Sequence, residues 1–298
     1  MVDGATEINH LIIVCGHGIW KGGPQHGHNE AEWLIESYKR GETPTFIEHI
    51  KAGLEALAND RRAVLAFSGG PTWKETRLSE ARSYGNLAAA NDYFGCIPPS
   101  GETVEAHPLS PIPLSTRIIL EEQALDSYYN VLFSIIAFWR RFQTWPEKLT
   151  VVSHAFKKAR IVDAHCAAIG FPLEHVNYVG INPPNLPPWL LAAQDLPIST
   201  ASPDNNVTTG TECDEKSAEE KANMMRGVAE VIGQWIEDPH GTGDALAGKR
   251  RARNPWGVSQ KLFSSDDERA RSGLETVFLV DGTEALSSTP TRIAWVER

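Results

Sequence analysis

The run Leu11-Ile12-Ile13-Val14-Cys15-Gly16-His17-Gly18 decides how the rest of the chain is read. A continuous apolar stretch of this kind suits a strand covered on both faces, as strands of parallel sheets are. The glycine-flanked histidine stands where that strand should end. In open α/β sheets, ligands bind in the crevice at the carboxyl ends of the strands. His17 is therefore a candidate site residue, able to serve as an acid or base, a donor to phosphate or a metal ligand. Gly16 and Gly18 beside it are candidates for ligand contact.

Working outward, four more apolar runs follow the first strand at 10–15, at 63–67, 117–120, 149–152 and 175–179. Between them lie stretches with helical spacing at 30–39 (with Asn29 as its N-cap), 45–59, 76–92, 123–142 and 156–169. Strand alternating with helix predicts an α/β fold, a mostly parallel sheet with helices on both faces. Proline-rich stretches at 95–113 and 182–206 read as loops or insertions. A helix is expected at 216–236, an irregular polar tail at 239–273, and terminal strands at 276–280 and 292–296. The length fits one domain, with a core at 8–180 and an insertion, long helix and C-terminal extension at 181–298 packed on it.

Composition narrows the partners. The net charge of −10 leaves no overall basic footprint, so nucleic acid is not an expected partner. The run Lys249-Arg250-Arg251-Ala252-Arg253 is a local exception, read as a solvated loop or else a phosphate or partner contact. No two of Cys15, Cys96, Cys166 and Cys213 form a CxxC pair, which fits a reducing compartment. A polar N-terminus and the lack of any run near ~20 apolar residues predict a cytoplasmic protein without a membrane partner.

Three further strand ends carry chemistry. Ser68-Gly69-Gly70-Pro71-Thr72 could cradle an anion if a helix starts near Thr72, or be a plain strand-to-helix turn. Of Glu121 and Glu122 only one can face the crevice; Glu122 is the candidate base or orienting group, with Glu121 or Glu122 available to a ribose. Ser153-His154 is followed by Lys157 and Arg160, three apart on one helical face, an arrangement suited to an anionic ligand. Asp126 or Ser127 could cap the long helix. His26 and His28 share a loop with His17, but no fixed metal-ligand spacing supports an ion. A metal is not favoured and no cofactor is assigned.

These clusters, in this order, resemble the bacterial YdcF, SanA and ElyC family. The carrying residues are Val14-Cys15-Gly16, Ser68-Gly69-Gly70, Ser79-Glu80-Ala81, Glu121-Glu122, Ser127-Tyr128-Tyr129-Asn130 and Ser153-His154 with Arg160. The resemblance spans roughly 8–180. It implies a Rossmann-like three-layer fold with the site at the strand ends, and it raises Glu80, Asn130 and Arg160 to site residues. It also implies binding of S-adenosylmethionine or a part in envelope processes, here in a soluble, elaborated version.

The expected function is an enzyme acting on a small anionic or polar metabolite. His17, His154, Glu80 and Glu122 would perform hydrolase, lyase or isomerase chemistry, hydrolase-like favoured. Gly16, Gly18, Ser68, Gly69, Gly70, Thr72, Asn130, Ser153, Lys157 and Arg160 would bind the ligand. The alternatives are a non-catalytic nucleotide- or S-adenosylmethionine-binding protein, or an interaction protein using its proline-rich loops and tryptophans.

Overall fold

Strand β1 (His10–Cys15) is buried along its whole length, and its side chains alternate between two cores. Leu11, Ile13 and Cys15 enter one cluster, Ile12 and Val14 the other. That alternation follows from the two-residue period of a strand, and it makes β1 the middle of three layers. The computed structural model describes residues 7–97, 114–184, 186, 233–288 and 295.

β1 pairs in parallel with β4 (Ala63–Ser68) on one side and β6 (Lys148–Ser153) on the other. β5 (Ile118–Glu121) extends the sheet beyond β4, and β7 (Val176–Gly180) beyond β6. The order β5-β4-β1-β6-β7 means that the chain builds outward from β1, then returns to add strands on its other side. The reversal creates a switch point between β1 and β6. Helix α1 (Thr43–Asn59) buries Phe46, Ile47, Ile50, Leu54 and Leu57 against Ile12, Val14 and Leu65; α2 (Glu80–Ala90) joins the same layer. Helix α3 (Ser127–Phe142) covers the opposite face with Val131, Leu132, Ile135 and Phe138. The result is a Rossmann-like α/β three-layer sandwich with a five-stranded parallel sheet.

Several local expectations need correction. Residues 30–39 do not form a helix. They make a 3-10 turn at Glu30–Glu32, a two-residue strand β3 (Trp33–Leu34) paired with β2 (Ile19–Trp20), and a second 3-10 turn at Ser37–Lys39. The carboxylate of Glu32 accepts hydrogen bonds from Trp20 Nε1 and from the backbone of Gln25 and Gly27, so tertiary contacts override helical propensity. Asn29 does cap the first turn, accepting from Ala31 N at 3.0 Å.

α2 begins at Glu80 behind the N-cap Ser79, not near Thr72 or Thr76. The carbonyls of Trp73 and Thr76 both accept from the indole N–H of Trp256, which holds this stretch out of a helix. Asp126 caps α3 through Tyr129 N. Residues 156–169 are a 3-10 turn (Ala155–Lys157), a π-helix (Ala159–Cys166) and a short α4 (Ala167–Ile169), rather than one α-helix.

The tail is more ordered than its polarity suggests. Helices α5 (Asp244–Ala252) and α6 (Asp266–Ser272) lie there, and beyond it the strand expected at 276–280 forms as β8 (Thr276–Phe278), paired with β9 (Glu284–Leu286). Trp235, Leu246, Leu262, Phe263 and Trp295 share the α3 core. Most of the expected helix at 216–236 and strand at 292–296, and much of both proline-rich stretches, lie outside the described residues. Among the described residues, no helix is long and apolar enough to cross a membrane.

Candidate functional site

Val14 of β1 is in register with Val152 of β6, so the residues that follow these two strands emerge side by side at the switch point. His17 and His154 stack there with ring centroids 4.3 Å apart and planes inclined at 28°. Phe156 also stacks on His154, at 5.0 Å and 14°. A third imidazole, His49 of α1, stands edge-on to both, at 5.2 Å from His17 and 5.0 Å from His154. All three rings are buried, and one ring nitrogen from each lies within 4.8 Å of the others.

A hydrogen bond fixes the tautomer of His49, and the charge of Lys157 sets that of His17. His49 Nε2 is 2.9 Å from the Ile181 carbonyl, which can only accept, so Nε2 carries the proton and Nδ1 the lone pair. When Lys157 is protonated, its ammonium donates to His17 Nδ1 at 3.3 Å. The His17 proton then sits on Nε2 and points to Ser153 Oγ at 3.1 Å. Neither ring nitrogen of His154 has a hydrogen-bond partner. Burial holds all three imidazoles below the usual histidine range, His49 at about 4, with Lys157 adding to the shift in each. The rings are neutral electron-pair donors at neutral pH.

His17 and His154 open on a cavity of about 1040 Å³. Lys157 and Arg160 line it, and among the described residues neither has a carboxylate within ion-pair distance. Arg160 Nε is buried without a hydrogen-bond partner. Burial, with Arg160 and then Lys39 nearby, pushes the Lys157 ammonium down to about 7. Lys39 reaches in from the 3-10 turn, donating to the His17 carbonyl at 2.7 Å and pairing with Glu36 at 2.8 Å. Glu80, first residue of α2, also faces the cavity, and desolvation raises its carboxyl to about 7.

Gly16 and Gly69 make room for that carboxyl. A Cβ at Gly16 would lie 2.5 Å from Glu80 Cβ, and one at Gly69 2.6 Å from Glu80 Oε2. Gly69 also has φ +153°, a conformation that side chains rarely adopt. Thr72 donates to Glu80 Oε1 at 3.2 Å.

The structure thus gathers Gly16, His17, Thr72, Glu80, Asn130, Ser153, His154, Lys157 and Arg160 around one cavity. It does not bring Gly18, Ser68, Gly69, Gly70 or Glu122 to that wall. The Gly69 amide donates to the Glu121 carbonyl and the Gly70 amide to Ala124, so neither is free for an anion. Ser68 Oγ donates to Glu121 Oε2 at 2.5 Å and accepts from Asn130 Nδ2 at 2.9 Å, beneath the site. Glu121 also takes the amides of Gln123 and Ala124, which makes it a buried strut. Glu122 points outward, bound by Ser79 Oγ and Arg82. His26 and His28 are exposed.

Three participants escape the sequence motifs: His49, Lys39 and Glu42. His49 carried a usable signal, because it falls on the apolar stripe Phe46, Ile50, Gly53, Leu54 of α1, where a polar residue calls for explanation. Lys39 and Glu42 come from a segment whose path depends on tertiary contacts. In the basic run, Lys249 and Arg253 line the cavity, whereas Arg250 is buried against Asp126 at 3.1 Å and the Gly241 carbonyl at 3.0 Å.

No family model matches the chain, and no solved structure matches it. It is similar to a protein of Saccharomyces cerevisiae (strain ATCC 204508 / S288c), uncharacterized protein YOR238W, at 25% identity over 303 residues, covering 89% of this chain and 91% of the yeast one.

Proposed function

We propose that this chain is an enzyme acting on a small phosphate- or carboxylate-bearing metabolite, by proton-transfer chemistry of the hydrolase, lyase or isomerase type, hydrolase-like favoured. The observation that carries this reading is the meeting, in one cavity, of two half-buried cations without carboxylate partners, the neutral imidazoles of His17 and His154 with His49 packed behind them, and the half-buried carboxyl of Glu80. Lys157 and Arg160 would neutralise the substrate's anionic group. The histidines would offer electron pairs at the reacting atoms. Glu80, titrating near neutrality, would move the proton, since an acid/base group works best with a pKa near the working pH. Gly16, Glu80, Asn130, His154 and Arg160, which carry the resemblance to the YdcF, SanA and ElyC family, all line this cavity. That coincidence supports a YdcF-like site, with small-molecule rather than nucleic-acid partners.

The test is a turnover screen over phosphoesters and carboxylic esters, with binding of inorganic phosphate measured in parallel. Lys157→Ala and Arg160→Ala should weaken phosphate binding, each by on the order of 10-fold or more, as loss of a charge-assisted hydrogen bond implies. Glu80→Gln should keep binding and lose turnover by roughly 10²- to 10⁴-fold. If the parent binds phosphate but turns over nothing in the screen, the enzymatic reading fails and a non-catalytic binding protein takes its place; turnover unchanged in Glu80→Gln removes Glu80 from the chemistry.

A further inference from the structure

We infer that His17, His49 and His154 form a binding site for one divalent first-row transition ion of the zinc type, a reading that takes the cavity described above as the reactive site. The argument starts from the lone pairs. Three imidazoles contributed by three separate elements offer ring nitrogens within 4.8 Å of one another, and a zinc-type ion draws its nitrogen ligands to about 2.0–2.1 Å from itself. Closing onto an ion therefore needs side-chain rotations, not a change of fold.

The surroundings match what metal-binding histidines require. Such a ring donates its other N–H to a carbonyl, carboxylate or hydroxyl, which sets the tautomer and aims the lone pair. His49 donates to the Ile181 carbonyl, and His17 to Ser153 Oγ. His154 is buried with both nitrogens unpartnered, and such groups call for an explanation. The carboxylate of Glu42, also buried, has Oε2 3.7 Å from His154 Nε2, close enough to take that N–H once Nδ1 turns to an ion.

The charges decide the class of ion. Neutral imidazoles suit zinc-like ions and not the oxygen-seeking Mg²⁺ or Ca²⁺. Lys39, Lys157 and Arg160 oppose a dication, while Glu42 favours it. Lys157 already presents a cation to the lone pair of His17, so an arriving ion replaces that ammonium and frees it towards a bound anion. Three protein ligands leave a zinc-type ion an open position, the arrangement of catalytic rather than structural sites.

The experiment uses the full chain, stripped with a chelator and desalted. Co²⁺ is titrated in and followed by its visible bands, and Zn²⁺ retained after desalting is counted by mass spectrometry. One ion per chain is expected, with Zn²⁺ displacing Co²⁺. Changes in the groups behind metal ligands cost roughly 10- to 100-fold in affinity, so His49→Ala and His154→Ala, each checked for folding by circular dichroism, should lose at least about 100-fold. The exposed His26→Ala and His28→Ala should bind like the parent. No stoichiometric ion, or affinity unchanged in His49→Ala and His154→Ala, overturns the inference. If either variant fails to fold, pulsed EPR of the Cu²⁺-loaded parent decides: three coupled imidazoles support the site and fewer overturn it.

The same samples separate this inference from the functional reading. Phosphate binding by metal-free protein that depends on Lys157 and Arg160, with no stoichiometric ion, removes the metal site alone. One bound ion with neither phosphate binding nor turnover removes the functional reading alone.

Discussion

His17 and His154 stack at 4.3 Å although they follow the first and the fourth strands of the central sheet in chain order. Their contact is a product of topology. β6 is laid down next to β1 after the chain has already placed β4 and β5 on the other side. Phe156 also stacks on His154, so ring contacts rather than hydrogen bonds hold that imidazole when no ion is bound.

Glu121 should make stability depend on pH. Burial raises its carboxyl from 4.5 to about 7, so between those values the folded chain binds more protons there than the unfolded one. Its contribution is complete below pH 4.5 and is lost as pH rises through 7. At 1.36 kcal/mol per pH unit the swing approaches ~3 kcal/mol. Urea unfolding at pH 5 and pH 8 should show this loss in the parent and a much smaller one in Glu121→Gln; equal slopes would remove the assignment.

Ser68→Ala should act on stability and leave the site alone. It takes the hydroxyl from Glu121 Oε2 and the acceptor from Asn130 Nδ2, both buried. The expected cost is about 1–3 kcal/mol, read from denaturant midpoints, with phosphate affinity unchanged. A large loss of affinity at unaltered stability would instead make Ser68 a ligand contact.

Gly16→Ala should couple stability to chemistry. Its Cβ would stand 2.5 Å from Glu80 Cβ, so either the first turn of α2 or the loop after β1 must shift. Overpacking of this kind costs about 1–3 kcal/mol. The same displacement should carry the Glu80 carboxyl out of line and change the pH profile of turnover as well as its rate. A variant with parental melting temperature and profile would show that the contact yields freely.

The basic run should divide by function. Arg250 bridges Asp126, the N-cap of α3, at 3.1 Å and lies over the Tyr129 ring at 4.8 Å. Arg250→Ala leaves a buried carboxylate unpaired and should cost about 3–5 kcal/mol in chemical denaturation. Arg253→Ala, on the cavity wall, should weaken phosphate binding with little change in stability. The reverse pattern would refute this division.

The fold was legible because its signals are local. Leu11 to Val14 announces a strand covered on both faces, and the same reading places β4, β5, β6 and β7 to within a residue at their ends. The two stacked histidines were legible as strand-end residues. Lys157 and Arg160 were legible in the turn after Ser153-His154, and Glu80 through the family resemblance; that His49, Lys39 and Glu42 join them was not, because that depends on tertiary contacts. Glu32 bends the 16–34 loop so that Lys39 can enter the cavity. Trp256 delays α2 until Glu80, which places that carboxyl at the start of a helix rather than along it. The double-glycine turn suggested an anion cradle, but its amides answer to Glu121 and Ala124 across the neighbouring strand end, a pairing that local sequence does not reveal.

The carbonyl that orients the α1 imidazole belongs to Ile181. A ribosome must therefore deliver well over half of the polypeptide before that ring can be locked. Nascent or truncated chains that stop short of this residue can hold much of the sheet yet lack the carbonyl that orients His49. Splitting the gene upstream of that codon should give two silent pieces, with competence restored only when they reassemble.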